Sequence, residues 1–379
     1  MITVLHLRSG SSLYGADRAL LALATATRPP FRVIVGALGP DEGSALADAA
    51  HARGLDAQRF TFDRRVDLAC ARRIARFIHW ANVDLVHAHD FKSLALGLRA
   101  ARREGVPVVA TFHGDTAADL KLRMYEAFAR LMGNRTQGVI APSRALQQRL
   151  SRWVKTAPVE LIHNALDDVP PPTESEKRTA RLALKLDANA PVLACLGRLS
   201  PEKGHRVLLQ ALSKMKQPPI TLIAGDGPLH DSLARDAGQL PVRFLGFVAD
   251  SRQVYAAADV VVMPSLREAS PLVALEAGLH RRPLVATRVG DLDELFANEA
   301  GALVPPGNVD GLLRELEHLF SDPKLRELRA SRLHERVHAR HGAQAMASAY
   351  ARVYARAIGT RESLAPDLAL HRETRDAVG

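Results

Sequence analysis

Residues 191–230 read PVLACLGRLSPEKGHRVLLQALSKMKQPPITLIAGDGPLH. A short apolar run (PVLACLGRL) leads into a glycine-framed loop, then a segment of helical period (HRVLLQAL), then a second apolar run (ITLIAGDG). Continuous apolar strands joined by an amphipathic helix mark a βαβ unit in a parallel sheet covered on both faces. Outward from there the alternation continues through VRFLGF, DVVVMPS, RPLVATRVG and GALVPPG. The same rhythm fills the N-terminal part: ITVLHL, a helix from about Asp17, RVIVGAL, DLVHAH and VPVVATFHG. The two series are separated by DDVPPPTESEK, residues 167–177, where three successive prolines and a polar stretch offer nothing to a core and predict a linker. Two doubly wound α/β domains are therefore expected, residues 1–167 and 168–342, followed by a helix over 343–358 and a polar tail over 359–379.

Composition supports that organisation. At 379 residues the chain exceeds one ordinary core, and 47% apolar against 24% charged residues excludes a disordered chain. The two cysteines, Cys70 and Cys195, have neither C-x-x-C nor metal-ligand spacing, which fits a reducing compartment. No run approaches about 18 apolar residues and no basic n-region with a long apolar stretch opens the chain, so the expectation is a cytoplasmic protein without a signal peptide or membrane span. Of the net charge of +10, most falls before residue 170, where 23 Lys/Arg stand against 16 Asp/Glu, compared with 28 against 25 afterwards. That bias suits phosphate groups, acidic lipid or a solvated basic surface. Aromatics at 5% give little for base stacking, which disfavours a nucleic-acid-binding module.

In open parallel sheets, ligands bind at the carboxyl ends of the strands, where helix N-termini present free N–H groups to anions. Four such loops are chemically unusual. GRLSPEKG sets Arg198 and Lys203 between Gly197 and Gly204, two cations beside a helix start and thus a diphosphate clamp. SLREASPLVALEA sets Glu268 in a loop and Glu276 in a helix starting near Pro271, carboxylates able to accept hydroxyl hydrogen bonds. SLYGADRALL sets Gly15 just before a helix whose first turn holds Asp17 and Arg18. TFHGD sets His113 at a strand end, facing a cleft or capping a turn.

In this order the segments resemble the retaining glycosyltransferases of family 4, from about residue 2 to residue 356. The stretch Pro264 to Pro306, with Glu268 and Glu276 separated by seven residues, carries the resemblance most strongly, supported by YGADRALL, TFHG, VIAPSRALQQRL, LIHNALD and AGDGPLHDSL. The resemblance implies a GT-B fold, two Rossmann-like domains facing across a cleft, with acceptor on the first and nucleotide-sugar donor on the second. It implies that Arg198 and Lys203 hold the donor diphosphate and that Glu276 binds the ribose. Glu268, with the loop amides of Ala269, Ser270 and Leu272, would read the transferred sugar, while Gly15 adds a backbone contact to the diphosphate. His113 would lie beside the sugar, the backbone at Val248 would meet the base, and the last helix would cross back onto the first domain. A UDP- or GDP-sugar is then the co-substrate and no cofactor or metal is expected. The acceptor would be a sugar or a lipid-linked sugar, as in cell-surface polysaccharide or glycolipid synthesis.

The chain departs from the family pattern at Asn164-Ala165, Ser270, Arg282 and Asp291. A nucleotide-sugar epimerase or a phosphorylase of the same architecture is the alternative reading. The helix expected from about Arg65 to Ala81 places Val66, Cys70, Ile74, Phe77, Ile78 and Ala81 on one side and Arg65, Arg72, Arg73 and Arg76 on the other. That basic side suits peripheral docking on the anionic inner face of a membrane.

Overall fold

The computed structural model describes residues 1–10, 13–40, 44–62, 67–113, 127–248, 250–268 and 270–359, apart from the side chain of Asn298. Among the described residues thirteen strands, joined by helices, form two sheets. The first runs β1 (Ile2–Ser9), α1 (Gly15–Ala26), β2 (Phe31–Gly39), α2 (Ala45–His51), β3 (Asp56–Thr61), α3 (Leu68–Trp80), β4 (Leu85–Ala88), α4 (Phe91–Glu104), β5 (Val108–Thr111), β6 (Gly138–Ala141), α5 (Arg144–Trp153) and β7 (Val159–Leu161). The second begins with α6 (Glu174–Ala183) and continues β8 (Val192–Leu196), α7 (His205–Lys214), β9 (Ile220–Ala224), α8 (His230–Ala237), β10 (Val242–Gly246), α9 (Arg252–Ala257) and β11 (Val260–Met263). It ends with α10 (Leu272–Leu279), β12 (Leu284–Thr287), α11 (Leu292–Leu295), β13 (Ala302–Val304), α12 (Val309–Ser321) and α13 (Pro323–Arg340), before α14 (Ala343–Ile358).

The sheets have the orders β3-β2-β1-β4-β5-β6-β7 and β10-β9-β8-β11-β12-β13. Every pairing is parallel. In each sheet the strand order reverses once, beside β1 and β4 in the first and beside β8 and β11 in the second. Ligands of doubly wound sheets bind at such reversals, outside the carboxyl ends of the strands. Central strands are buried on both faces because helices cover both: β4, β5, β6, β11 and β12 are buried at every position.

Three boundaries differ from the sequence reading. Gly15 lies inside α1, whose N-cap is Tyr14, with Asp17 accepting a hydrogen bond from the Tyr14 amide at 2.9 Å. The polar half of the expected linker is helical: Thr173 and Glu176 form a capping box that starts α6, and Arg181, 3% exposed, locks that helix down by pairing with Asp259 at 2.8 Å. A threonine followed three residues later by glutamate signals a helix start, and here that local signal overrides composition. Finally, α3 begins at Leu68 behind an Asp67 cap, and Arg65 and Val66 fall outside the described residues.

The chain passes between the sheets twice at one place. Leu166 bridges Gly342 in parallel, and His341 Nδ1 lies 3.1 Å from the Asn164 carbonyl. Beyond that crossing α14 packs on α1, β4 and β5, burying Met346, Tyr350, Val353 and Tyr354 among Val4, Ala22, Leu85, Val109 and Ile140.

Candidate active site

At the end of β8 the chain turns through Gly197 to Gly204 before α7. Gly204 has φ +68°, and a Cβ there would lie 2.0 Å from the Pro264 carbonyl oxygen, so only glycine lets this loop seat against the end of β11. Leu266 and Arg267 amides donate to the Glu202 carbonyl at 2.7 and 3.3 Å, fastening the two loops together. This juxtaposition brings Lys203 into an ion pair with Glu268, whose Oε1 also accepts from Ser265 Oγ at 3.0 Å. Arg198 is exposed and makes no ion pair among the described residues. Sequence spacing assigned Lys203 and Glu268 to separate tasks; in the folded chain they touch.

Glu276 is nearly buried in α10 and both its oxygens are engaged. Oε1 pairs with Arg18 from α1, which also donates to Ser251 Oγ at 3.2 Å; Oε2 accepts from the Tyr255 hydroxyl at 2.7 Å. Burial and the adjoining Glu276 push the Tyr255 hydroxyl well above the ordinary phenol range, so it stays a donor. Gly15 meets the same helix start: a Cβ on it would lie 2.8 Å from Leu272 Cδ1. Tyr14 and Phe247, both more than half exposed, meet edge to face at 6.5 Å and 75°. Val248 follows, half-buried against the apolar cluster that contains Val192, Leu222 and Val254. Ala269 lies outside the described residues.

The opposite wall is built at the ends of β1, β4 and β5. Asp90 caps α4 and accepts from the Ser9 amide at 2.7 Å and its hydroxyl at 2.8 Å, tying β1 to β4. Arg8 pairs with Asp17 at 2.9 Å and donates to the His89 carbonyl at 3.1 Å. A cavity of about 210 Å³ is lined here by Arg8, His89, Asp90, Phe91, Phe112 and His113. His113 is thus placed on a cavity wall, and burial lowers its imidazole to about 3, so it is neutral. Behind it His6, His87 and His89 are buried, and burial holds all three far below the usual imidazole range. Their ligand atoms lie within 4.8 Å of one another, yet all six ring nitrogens already have hydrogen-bond partners.

Three of the four positions that depart from the family pattern meet partners at or near the domain boundary. Ser270 Oγ accepts from Asn164 Nδ2 at 3.0 Å. Asp291 accepts from the Arg144 amide at 2.8 Å and lies 3.7 Å from His163 Nδ1. The fourth, Arg282, donates to the Tyr255 carbonyl at 2.8 Å, behind Glu276.

The fold therefore brings Lys203 to Glu268, Gly15 to Leu272 and Arg18 to Glu276, while Arg198 stands exposed in the Lys203 loop and His113 lines a cavity walled by first-domain residues. The sequence reading left out Arg18 as a cleft residue, and with it Tyr255, Tyr14, Phe247 and Arg8. Arg18 stood beside Gly15 in the motif, but its partner is 258 residues away, and only docking of the domains reveals it.

Residues 14–169 match the family model described as Glycosyltransferase Family 4, and residues 190–322 match that described as Glycosyl transferases group 1. The chain is 31% identical to a phosphatidyl-myo-inositol mannosyltransferase of Mycolicibacterium smegmatis over 283 residues, 71% of this chain and 70% of the relative. It is 32% identical to a D-inositol 3-phosphate glycosyltransferase of Mycolicibacterium vanbaalenii, across 63% of this chain and 60% of that one. The solved structure of Anabaena HepE with UDP and glucose superposes with a TM-score of 0.81 at 24% identity, covering 93% of this chain and 99% of that chain, which establishes the shared fold.

Proposed function

The chain belongs to glycosyltransferase family 4, and from that premise we propose that its cleft binds a nucleoside diphosphate sugar and transfers the sugar with retention of anomeric configuration. It is a glycosyltransferase of the GT-B type, and the epimerase and phosphorylase alternatives give way to that membership. One observation carries the assignment of parts: the loop of Arg198 and Lys203 is clamped by Gly204 to the loop of Glu268 at the strand-order reversal of the second sheet. A structural neighbour bound to UDP and glucose supports the donor class.

In this reading Arg198, Lys203 and the N-terminus of α7 hold the diphosphate. As the glycosidic bond breaks, negative charge grows on that leaving group, and fixed cations with a helix dipole stabilise it most at that moment. Charge neutralisation is assigned to these side chains, with no divalent metal required. Glu276 takes the ribose once Arg18 yields it, Glu268 and the Ser270–Leu272 turn face the sugar, and His113 faces it from the first domain. The backbone near Val248 meets the base, with Phe247 beside it.

The acceptor is proposed to be lipid-linked and met at an anionic membrane surface. Among the described residues no helix is long and apolar enough to cross a membrane. On α3, Arg72 and Arg76 are exposed, flanked by Leu68 at 47% and Trp80 at 77% exposure. Arg73 does not join them, because it turns back to the Thr61 carbonyl and lies 3.8 Å from Asp67. Arg99 and Arg102 on α4, which packs against α3, are also exposed. Relatives named for phosphatidyl-inositol and lipopolysaccharide-core substrates fit this acceptor class.

The test is a panel of UDP-, GDP-, ADP- and dTDP-sugars followed by thermal shift and product mass, with and without EDTA. The expected result is stabilisation by one donor family, nucleoside diphosphate release dependent on acceptor, and indifference to EDTA. Failure of every nucleotide sugar to bind would refute the donor assignment.

A further inference from the structure

His113 ends a continuous chain of hydrogen bonds that starts on α14. Tyr350 Oη lies 3.3 Å from Thr111 Oγ1, which lies 2.8 Å from His87 Nε2. His87 Nδ1 is 2.8 Å from Tyr354 Oη, and that hydroxyl is 3.3 Å from His6 Nε2. His6 Nδ1 is 3.0 Å from His89 Nε2, and His89 Nδ1 is 3.3 Å from His113 Nε2. At the far end His113 Nδ1 is buried with no partner.

With neutral imidazoles, each ring carries one N–H and each hydroxyl one O–H, so seven protons serve six links and one donor is left over: the hydroxyl of Tyr350, Thr111 or Tyr354, or the Nδ1–H of His113. If protons point inward, His113 donates through Nε2 and each group donates to the next until Thr111 donates to Tyr350. The buried Tyr350 O–H is then left without an acceptor, and the bare Nδ1 of His113 without a donor. If protons point outward, Tyr350 donates to Thr111, Thr111 to His87, His87 to Tyr354, Tyr354 to His6, His6 to His89, and His89 to His113. Every donor is then satisfied except one, the Nδ1–H of His113. Every wiring leaves one donor over, and a buried donor without an acceptor is strongly disfavoured. The hydroxyls of Thr111, Tyr350 and Tyr354 are at most 2% exposed, whereas His113 is half-buried on a cavity wall where a ligand oxygen can meet it, so the outward wiring is the one that can be completed. Burial keeps the rings neutral, and the charged Arg8 adds to it by opposing protonation of His89 and His113.

We infer that His6, His89 and the Tyr354 hydroxyl are positioning residues that hold His113 as its Nδ1–H tautomer, a fixed donor completed only by an oxygen of the bound nucleotide sugar. The inference rests on the reading that His113 faces the transferred sugar. A donor oriented before substrate arrives needs no reorganisation during the reaction, which is where such groups contribute most. Because Tyr354 sits on α14, the C-terminal helix takes part in setting the polarity of the cleft.

Long-range proton–nitrogen NMR of the histidine-labelled full chain reports which ring nitrogen carries the proton, with His113→Ala identifying the signal. The expected result is a neutral His113 protonated at Nδ1 in the free protein. His89→Leu should release the ring to a mixture with Nε2–H and lower kcat on the order of 10-fold, with a smaller change in KM. The donor for these kinetics is whichever of UDP-, GDP-, ADP- and dTDP-glucose turns over fastest. His89→Asn, which returns an amide donor near the Nδ1 position, should recover both tautomer and kcat. A wild-type His113 protonated at Nε2 overturns the wiring, and this measurement requires no variant to fold. An unchanged tautomer and kcat in His89→Leu overturns the positioning role. Wild-type turnover by His113→Ala would instead overturn the sugar-facing reading on which the inference rests.

Discussion

Replacing Lys203 by Ala removes two interactions at once, and the structure allows them to be separated. The ammonium is the proposed partner of the leaving diphosphate, and in the free protein it neutralises Glu268, whose side chain is 10% exposed against 25% for Lys203. Loss of a preorganised charge at the leaving group is worth roughly 3 kcal/mol, about a 100-fold drop in kcat. Breaking a fully buried pair costs about 3–5 kcal/mol, whereas exposed pairs are worth under about 1 kcal/mol. This partly exposed pair, with Ser265 still donating to Glu268, should cost about 1–2 kcal/mol, or about 2–8 °C in the melting temperature of a domain this size. Adding Glu268→Gln to Lys203→Ala removes the stranded charge, so the double variant should melt close to wild type while remaining inactive. Arg198→Ala is the control: exposed and without an ion pair among the described residues, it should lose activity comparably and melt unchanged. Steady-state kinetics and scanning fluorimetry on the four proteins decide the matter. If Lys203→Ala keeps kcat within about threefold of wild type, or if Glu268→Gln fails to restore melting, the clamp as described is wrong.

Arg18→Ala should free Glu276 and tighten nucleoside diphosphate binding by about two- to fivefold, the worth of a partly exposed pair, measured by calorimetry; weaker binding would mean that Arg18 itself holds the ligand. Glu276→Ala should weaken that same binding while Glu268→Gln spares it and harms transfer, and equal effects on affinity would refute the division between ribose and sugar. Arg72→Glu with Arg76→Glu should abolish co-sedimentation with acidic vesicles at low salt, since each cation contributes about 1 kcal/mol at such a surface; binding indifferent to lipid charge would exclude docking through α3. Acid should destabilise the first domain: His6, His87 and His89 stay neutral when folded but protonate below about pH 6.5 when unfolded. Their contribution is therefore intact above that pH and lost as pH falls toward their folded values, by up to about 4 kcal/mol per pH unit for three sites. Denaturant melts at pH 7 and 5 that give the same stability would contradict this.

Legibility followed locality. Apolar runs and glycine-framed loops exposed both sheets, because a parallel strand buried on two faces is apolar at most positions and its ligand loop must turn tightly. The Thr173 capping box was equally local, and the prolines beside it obscured it. By contrast, Lys203 meets Glu268 across 65 residues and Arg18 meets Glu276 across 258, distances at which no periodicity operates. The histidine chain shows the same limit: DLVHAH announces two histidines on one strand face, at alternate positions, but not that His6 and Tyr354 complete their hydrogen bonds.

The departures from the family pattern show how such long-range contacts come to matter. A bulky apolar residue at 270 could not accept from Asn164, and a glycine at 291 could not bind the Arg144 amide; each departure is matched by a polar partner. Arg144 also pairs with Glu294 beside Asp291, so this part of the boundary is held by charge and hydrogen bonds. Such contacts are exposed or half-buried, hence individually weak and open to exchange with water. The Arg18–Glu276 pair belongs to the same class, except that Glu276 is also the proposed ribose ligand. On that proposal, a nucleotide entering the second domain competes with the first domain for one carboxylate. Under the same proposal, donor binding and the relative placement of the two sheets are coupled through Glu276, because the Arg18 pair joins the two domains there.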